Sequence, residues 1–141
     1  MVISTNGHIL MAFDNSLNSK RALKEAFALA KLANATITVV YVISYHKAMA
    51  KIVEPYKESM INHVKKFIGK IERDASQIDI IIKEKILYGN PSEEILNFMK
   101  NKKFDIVIVG RRGVTKITGP SLGSVSNTLV QNSKIPILVV A

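Results

Sequence analysis

The residues best suited to chemistry are a group of glycines and a serine near the C-terminal end of the chain. The sequence reads Gly110-Arg111-Arg112-Gly113, then nine residues, then Gly123-Ser124-Val125. Because glycine lacks a Cβ atom, the backbone can turn sharply there and bring its N–H groups close to an anion. Ser124 adds a hydroxyl donor at the start of a predicted helix. We call residues 110–124 the glycine segment, and its pattern favours binding of phosphate groups.

One carboxylate is placed to share a site with this segment. Asp14 directly follows a predicted strand at 8–13, and Gly110 directly follows another at 104–109. If the two strands are neighbours in a parallel sheet, Asp14 and the glycine segment face the same crevice. The carboxylate could then accept from a ribose hydroxyl or an adenine amino group, or lie near a metal ion. The alternative is that Asp14 caps the first helix, and the glycine segment favours the ligand interpretation.

The elements that must position these residues alternate along the whole chain. Apolar and β-branched runs predict five strands, at 8–13, 36–43, within 78–87, 104–109 and 135–140. Apolar residues at helical spacing predict helices at 19–33, from Glu54 onward, after Gly89-Asn90-Pro91 and at 124–132, whereas residues 44–53 are ambiguous. Strands joined by crossover helices predict a single α/β domain, residues 1–141, with a mainly parallel open sheet covered by helices on both faces.

The composition excludes several classes of protein. The chain has 141 residues, 48% hydrophobic and 22% charged, as in a globular domain. It contains no cysteine, which excludes disulfides, zinc–thiolate sites and thiol catalysis. Lys or Arg interrupts every long apolar stretch, and residues 1–7 lack the pattern of a signal peptide. We therefore expect no membrane segment and a cytoplasmic location.

Motifs of other nucleotide-binding or catalytic classes are missing from the sequence. It contains no Gly-x4-Gly-Lys-Ser/Thr loop and no Gly-x-Ser-x-Gly elbow. His8, His46 and His63 have no spacing that makes a metal site, and we interpret His46 and His63 as surface residues. The sequence thus indicates neither a P-loop NTPase, nor a serine hydrolase, nor a metal centre.

The charge balance favours anionic partners near the glycine segment. The net charge is +9, which either reflects function or a compositional bias. Locally, no acidic residue follows Asp105, and the bases beyond it are Arg111, Arg112, Lys116 and Lys134. The arginine pair either clamps phosphate or points to solvent. Aromatic residues are 6% of the chain and form no stacking platform, so nucleic acid is not an expected partner.

Together with its flanking segments, the glycine pattern resembles the nucleotide-binding signature of the universal stress protein family. Residues 9–43 resemble the first strand, helix and second strand of that family, Gly89-Asn90-Pro91 resembles its G-x-P segment, and Ile135–Val140 resembles its last strand. The resemblance implies a Rossmann-like fold of the adenine nucleotide alpha hydrolase type, with strand order 3-2-1-4-5. Two departures stand out: Asn15, where many relatives have glycine or a bulky residue, and Arg111-Arg112, which replaces a serine–histidine type of pair.

The same resemblance implies a site for ATP or another adenine nucleotide, and leaves open whether Mg²⁺ accompanies it. Carried over by position, Asp14 and the backbone of Val42 contact the adenosine, while Ala12 and Phe13 help to wall the pocket. The residues expected around ribose and phosphates are Gly110, Gly113, Gly123, Ser124 and Val125, together with Arg111 and Arg112.

The glycine segment lacks the acidic residues that hydrolysis of a nucleotide usually requires. It contains no Asp or Glu to hold a metal ion or to position water. We therefore predict a nucleotide-dependent sensor or regulator in a stress response, with no catalytic residues. The alternatives are a ligand-independent dimeric scaffold, a weak ATPase or, on the charge alone, a nucleic-acid binder.

A homodimer is expected through residues Ile135 to Val140. The segment is apolar and terminal, and Pro136 near its start removes one backbone donor, which suits the edge of a sheet. The family resemblance implies dimerisation through the same strand.

Overall fold

A computed structural model describes residues 6–114 and 121–141 of the chain. Within these ranges there are five strands: β1 (His8–Ala12), β2 (Thr36–Ser44), β3 (Ile82–Gly89), β4 (Ile106–Gly110) and β5 (Ile137–Val140). They form one sheet in the order 3-2-1-4-5, and every adjacent pair is parallel. The predicted fold class and strand order are therefore confirmed.

The helices begin and end close to the predicted positions. They are α1 (Leu17–Ala33), α2 (Ala50–Val53), α3 (Lys57–Gln77), α4 (Pro91–Lys100) and α5 (Ser124–Asn132). Residues 47–56, which include most of the ambiguous stretch, form short helical turns that lead into α3. None of the helices in the described ranges combines the length and apolar character needed to cross a membrane.

Strands β4 and β5 each begin two residues later than the sequence suggested, at Ile106 and Ile137. Strand β3 begins inside the predicted range, at Ile82, and ends at Gly89; before it, the N–H groups of Ile78 and Ile80 both donate to the Ala75 carbonyl and close the end of α3. Strand β5 starts at Ile137 because the Ile135 N–H donates to Ser133 Oγ at 3.1 Å and is not available to the sheet. Local polar bonds of this kind compete with strand pairing.

The sheet has an apolar core on each face. On one face, Met11, Ile37 and Ile108 pack against the alanines of α1 and the C-terminal half of α3. On the other face, Leu10 and Val107 lie in a cluster with Ile95 of α4 and Leu129 of α5. Because the five strands run parallel, their carboxyl ends all reach one edge of the sheet, where the connecting loops meet.

Candidate functional site

Asp14 and the glycine segment meet at the carboxyl ends of β1 and β4. The two strands are neighbours, with Ala12 opposite Val109. Asp14 Oδ1 accepts from the Ser16 N–H at 2.9 Å, and Oδ2 accepts from the Val114 N–H at 3.1 Å. One carboxylate oxygen therefore fixes the turn before α1, as the capping alternative expected. The other binds the glycine segment at Val114, so Asp14 also belongs to the crevice.

The departure at Asn15 has a backbone explanation. Its φ angle is +66°, in the left-handed region, where glycine and asparagine are the residues best tolerated. Asn15 is not among the residues that line the cavity described below. Asn15 therefore allows the left-handed turn between Asp14 and Ser16, the N-cap of α1, and does not line the cavity.

Gly110 is required by packing between a strand and a helix. A Cβ atom at this position would lie 2.7 Å from the Asn18 carbonyl carbon and 2.8 Å from the Ser19 nitrogen, both in the first turn of α1. Such distances are far below van der Waals contact, and the clashing atoms are backbone. Glycine at the end of β4 thus allows α1 to approach the sheet closely beside the crevice.

Gly113 and Gly123 bring the two ends of the glycine segment together. A Cβ atom on Gly113 would lie 2.5 Å from Asp14 Oδ2, and one on Gly123 would lie 3.1 Å from Arg112 Cα. The Gly123 N–H donates to the Arg111 carbonyl at 2.8 Å, and Ser126 Oγ donates to the same oxygen at 2.7 Å. The described parts of the segment, residues 110–114 and 121–124, therefore pack closely between Asp14 and the start of α5.

Helices α1, α4 and α5 begin beside this crevice, and α5 differs from the other two. Ser16 Oγ caps α1 by accepting from the Ser19 N–H, and Asn90 Oδ1 caps α4 by accepting from the Glu93 N–H. The N-cap of α5 is Gly123, which has no side chain to accept from the first N–H groups. These N–H groups and the positive end of the helix dipole make the start of α5 the most favourable of the three for an anion.

A cavity of about 1030 Å³ lies at this edge of the sheet. Ten of the eleven residues proposed for the site line it: Ala12, Phe13, Asp14, Val42, Gly110, Arg112, Gly113, Gly123, Ser124 and Val125. Among the described residues of its wall, the acidic member is Asp14 and the strongly basic member is Arg112. The cavity therefore combines one carboxylate, one guanidinium and many backbone and hydroxyl groups.

The two arginines have different positions. Arg112 lines the cavity, and its Nε donates to the Ser121 carbonyl at 3.1 Å. Arg111 is not part of the cavity wall; its N–H donates to the Val140 carbonyl at 2.7 Å, and its Nε atom is buried. Only one of the pair therefore borders the cavity. Lys116, the third base of this region, lies outside the described residues.

Several residues of the cavity wall were not identified from the sequence. Tyr41 and His63 line the cavity, although His63 was interpreted as a surface residue and is indeed exposed. Burial raises the pKa of Tyr41, and the nearby Asp14 charge raises it further, so the phenol stays protonated at neutral pH and can donate. Ser126, spaced two residues from Ser124, could have been noticed as a second hydroxyl at the helix start.

A metal site is not formed by protein groups in the described ranges. No three His, Cys, Asp or Glu side chains there come together in a way that could hold an ion. Asp14 is the one carboxylate among the described residues of the cavity wall.

Comparison with known proteins connects this architecture to one family. A model of the universal stress protein family matches residues 5–141. Universal stress protein YxiE of Bacillus subtilis is 32% identical over 143 residues, covering 94% of this chain and 97% of that protein. The structure of universal stress protein UspA from Lactobacillus plantarum has a TM-score of 0.86 and 22% identity, covering 98% of this chain and 99% of that chain.

Two solved structures of this family contain adenine nucleotides. One is a universal stress protein in complex with cAMP, with 23% identity and a TM-score of 0.70, covering 98% of each chain. The other is a family protein from Arabidopsis thaliana with AMP bound, with 19% identity and a TM-score of 0.64, covering 95% of this chain and 90% of that chain. At these identities the likeness establishes a shared fold.

Proposed function

Because this chain belongs to the universal stress protein family, we propose that it binds an adenine nucleotide, ATP, and acts as a nucleotide-dependent sensor or regulator. The observation that carries the proposal is the uncapped start of α5 at one end of a cavity that also contains Asp14. The binding of cAMP and of AMP by two proteins of the same fold supports an adenine nucleotide as the ligand class.

In this proposal the phosphates lie against the glycine segment and the adenosine lies at the ends of β1 and β2. The N–H groups at the start of α5, the Ser124 hydroxyl and the Arg112 guanidinium would face the phosphates. Ala12, Phe13, Asp14 and the backbone of Val42 would surround the adenosine. Each Asp14 oxygen already accepts one backbone N–H and retains lone-pair capacity for a ribose hydroxyl.

The direct test is stabilisation of the protein by ATP. At an ATP concentration of about 100 times Kd, binding should add ~2.7 kcal/mol to the free energy of unfolding, and raise Tm by roughly 8 °C for a chain of this size. Asp14→Asn should reduce this shift, because one charged acceptor at the adenosine is lost. Thermal unfolding followed by circular dichroism, with and without ATP, measures the Tm shift of the unmodified protein and of the variant.

Asp105→Asn is the matched control for this experiment. Asp105 also accepts a backbone N–H, from His8 at 2.7 Å, but lies just before β4, at the amino end of the strand, and is not part of the cavity wall. That variant should keep the full ATP-induced shift even if its own Tm is lower. Absence of a shift in the unmodified protein would contradict the proposal and favour the ligand-independent scaffold.

We propose binding without efficient catalysis. Hydrolysis of ATP needs a positioned water and usually a metal ion held by carboxylates, and Asp14, the acidic group among the described residues of the wall, is assigned to the adenosine. Any Mg²⁺ would then be held mainly by phosphate oxygens and water. We expect no turnover above trace when pure protein is incubated with ATP and Mg²⁺. Phosphate release well above trace that Asp14→Ala abolishes would overturn this.

We further propose a homodimer through β5. In the described ranges β5 pairs with β4 on one side, and its Leu138 is 37% exposed. An apolar strand at a sheet edge favours pairing with a second copy. Leu138→Glu should convert the dimer to a monomer in light scattering at micromolar concentration, whereas Val130→Glu, on exposed α5 surface, should not. A stable monomer of the unmodified protein would contradict the proposal.

A further inference from the structure

The cavity extends around the end of β2 to both faces of the sheet. Val40 and Val42 belong to the face covered by α4 and α5, whereas Tyr41 and Ile43 belong to the face covered by α3, and all four line the cavity. Side chains of α3 and of the turn before it complete the second part. We call this part the aromatic lobe and define it by Tyr41, Tyr56, Ser59, Met60 and His63.

Two rings of the aromatic lobe, Tyr41 and His63, pack against a third aromatic side chain outside the cavity. Phe67 of α3 is not among the cavity residues but contacts both Tyr41 and His63, with ring centroids at 5.3 Å and 5.7 Å. Tyr56, the third ring of the lobe, is 61% exposed. Tyr41 and His63 therefore offer two positioned rings against which a planar group can pack.

The polar groups of the aromatic lobe are hydroxyls and an imidazole, and its five residues include no carboxylate, ammonium or guanidinium group. They are the hydroxyls of Tyr41, Tyr56 and Ser59 and the nitrogens of His63, and none of them bonds to another protein group in the part of the chain that the structure describes. Asp14 and Arg112, the charged groups of the cavity, belong to the loops after β1 and β4. The aromatic lobe is therefore suited to a neutral ring with a polar edge, and the glycine segment to an anion.

We propose that the aromatic lobe is a second subsite, which binds a neutral heteroaromatic ring beside the nucleotide site. The ring could belong to a separate small molecule or to the second base of a dinucleotide, since the chemistry that recognises it is the same. The dinucleotide case alone rests on the proposed function. Both cases predict contact of the ring with His63.

Indole is the probe for a separate molecule. The chain contains three histidines, so the ring signals of His63 can be resolved by proton NMR, with His8 as an internal reference outside the cavity. Indole should shift the His63 signals saturably and leave those of His8 unchanged. Absence of a saturable shift at His63 would overturn this arm.

Two substitutions on the same helix make the test specific. Ser59→Phe places a ring inside the aromatic lobe and should weaken indole binding roughly fivefold or more, the loss expected when stacking on an aromatic side chain is blocked. Ser76→Phe adds the same ring to exposed α3 surface outside the cavity and should leave indole binding unchanged. Equal effects of the two variants would overturn the assignment to the lobe.

Nucleotides separate this inference from the proposed function. Saturating ATP should leave the indole-induced shift of the His63 signals intact. If the ring belongs to a dinucleotide, diadenosine tetraphosphate should shift the His63 signals and ATP alone should not. Displacement of indole by ATP would overturn the second subsite, because the lobe would then be part of the nucleotide site. If ATP binds and neither indole nor the dinucleotide shifts His63, the inference fails and the proposed function stands. If indole shifts His63 and ATP does not bind, the second subsite stands and the proposed function fails.

Discussion

Replacing Gly110 by valine is expected to lower the free energy of unfolding by about 3 kcal/mol, at the upper end of the usual cost of overpacking a core. The new Cβ atom would lie 2.7 Å from the Asn18 carbonyl carbon and 2.8 Å from the Ser19 nitrogen. These are backbone atoms of α1, so no side-chain rotation relieves the clash, and β4 and α1 must move apart. Urea unfolding followed by circular dichroism measures the change.

Gly69→Ala is the control for the loss of a glycine. Gly69 lies inside α3, and an added Cβ atom would contact only the end of the Arg73 side chain, at 3.4 Å. Because alanine favours the helix by roughly 0.5–1 kcal/mol relative to glycine, this variant should be slightly more stable than the unmodified protein. A Gly110→Val protein with unchanged stability would show that β4 and α1 are not packed as closely as described.

The double variant Gly113→Val/Gly123→Val is expected to abolish the ATP-induced rise in Tm. A Cβ atom on Gly113 would lie 2.5 Å from Asp14 Oδ2, and would displace the carboxylate assigned to the adenosine. A Cβ atom on Gly123 would lie within 3.2 Å of the Arg111 and Arg112 backbone, and would move the start of α5 assigned to the phosphates. Thermal unfolding with and without ATP measures the loss.

The double variant must be shown to fold before this result has meaning. The check is needed because a hydrogen bond to a charged group, such as that from Val114 to Asp14, contributes about 1.5–3 kcal/mol, and its loss lowers the free energy of unfolding. A native circular dichroism spectrum and a cooperative thermal transition without ATP would show that the variant folds. Gly69→Ala, outside the cavity, should retain the full ATP shift. A folded double variant that keeps the shift would contradict the assignment of the phosphates to this segment.

Much of the fold could be predicted from the sequence because its patterns are local. The helix at Ser124–Asn132 was predicted with the bounds that the structure has, since a glycine–serine pair and apolar spacing define it. The start of β5 was less predictable. Whether Ile135 joins the sheet depends on its bond to Ser133 Oγ, and a run of apolar residues does not reveal that bond.

Ten of the residues predicted for the site line the cavity, but their contacts could not be predicted. The pairing of β1 with β4 follows from the strand order that the family resemblance implied, and it brings Asp14 beside the glycine segment. The sequence left open whether the arginines face the phosphates. In the structure Arg112 borders the cavity, whereas Arg111 continues the pairing of β4 with β5.

The sequence by itself determined that this protein is a parallel α/β domain with a glycine segment after β4 and a carboxylate after β1, since strand and helix periods and turn residues are properties of neighbouring positions. Only the tertiary structure decided what those residues touch. Asp14 accepts from Val114, 100 residues away, and Gly110 is glycine because the backbone of α1 lies against it. Tyr41 and Val42 are adjacent in sequence but enter the cavity from opposite faces of the sheet. Contacts of this kind depend on how elements pack, and packing joins positions that no local pattern connects.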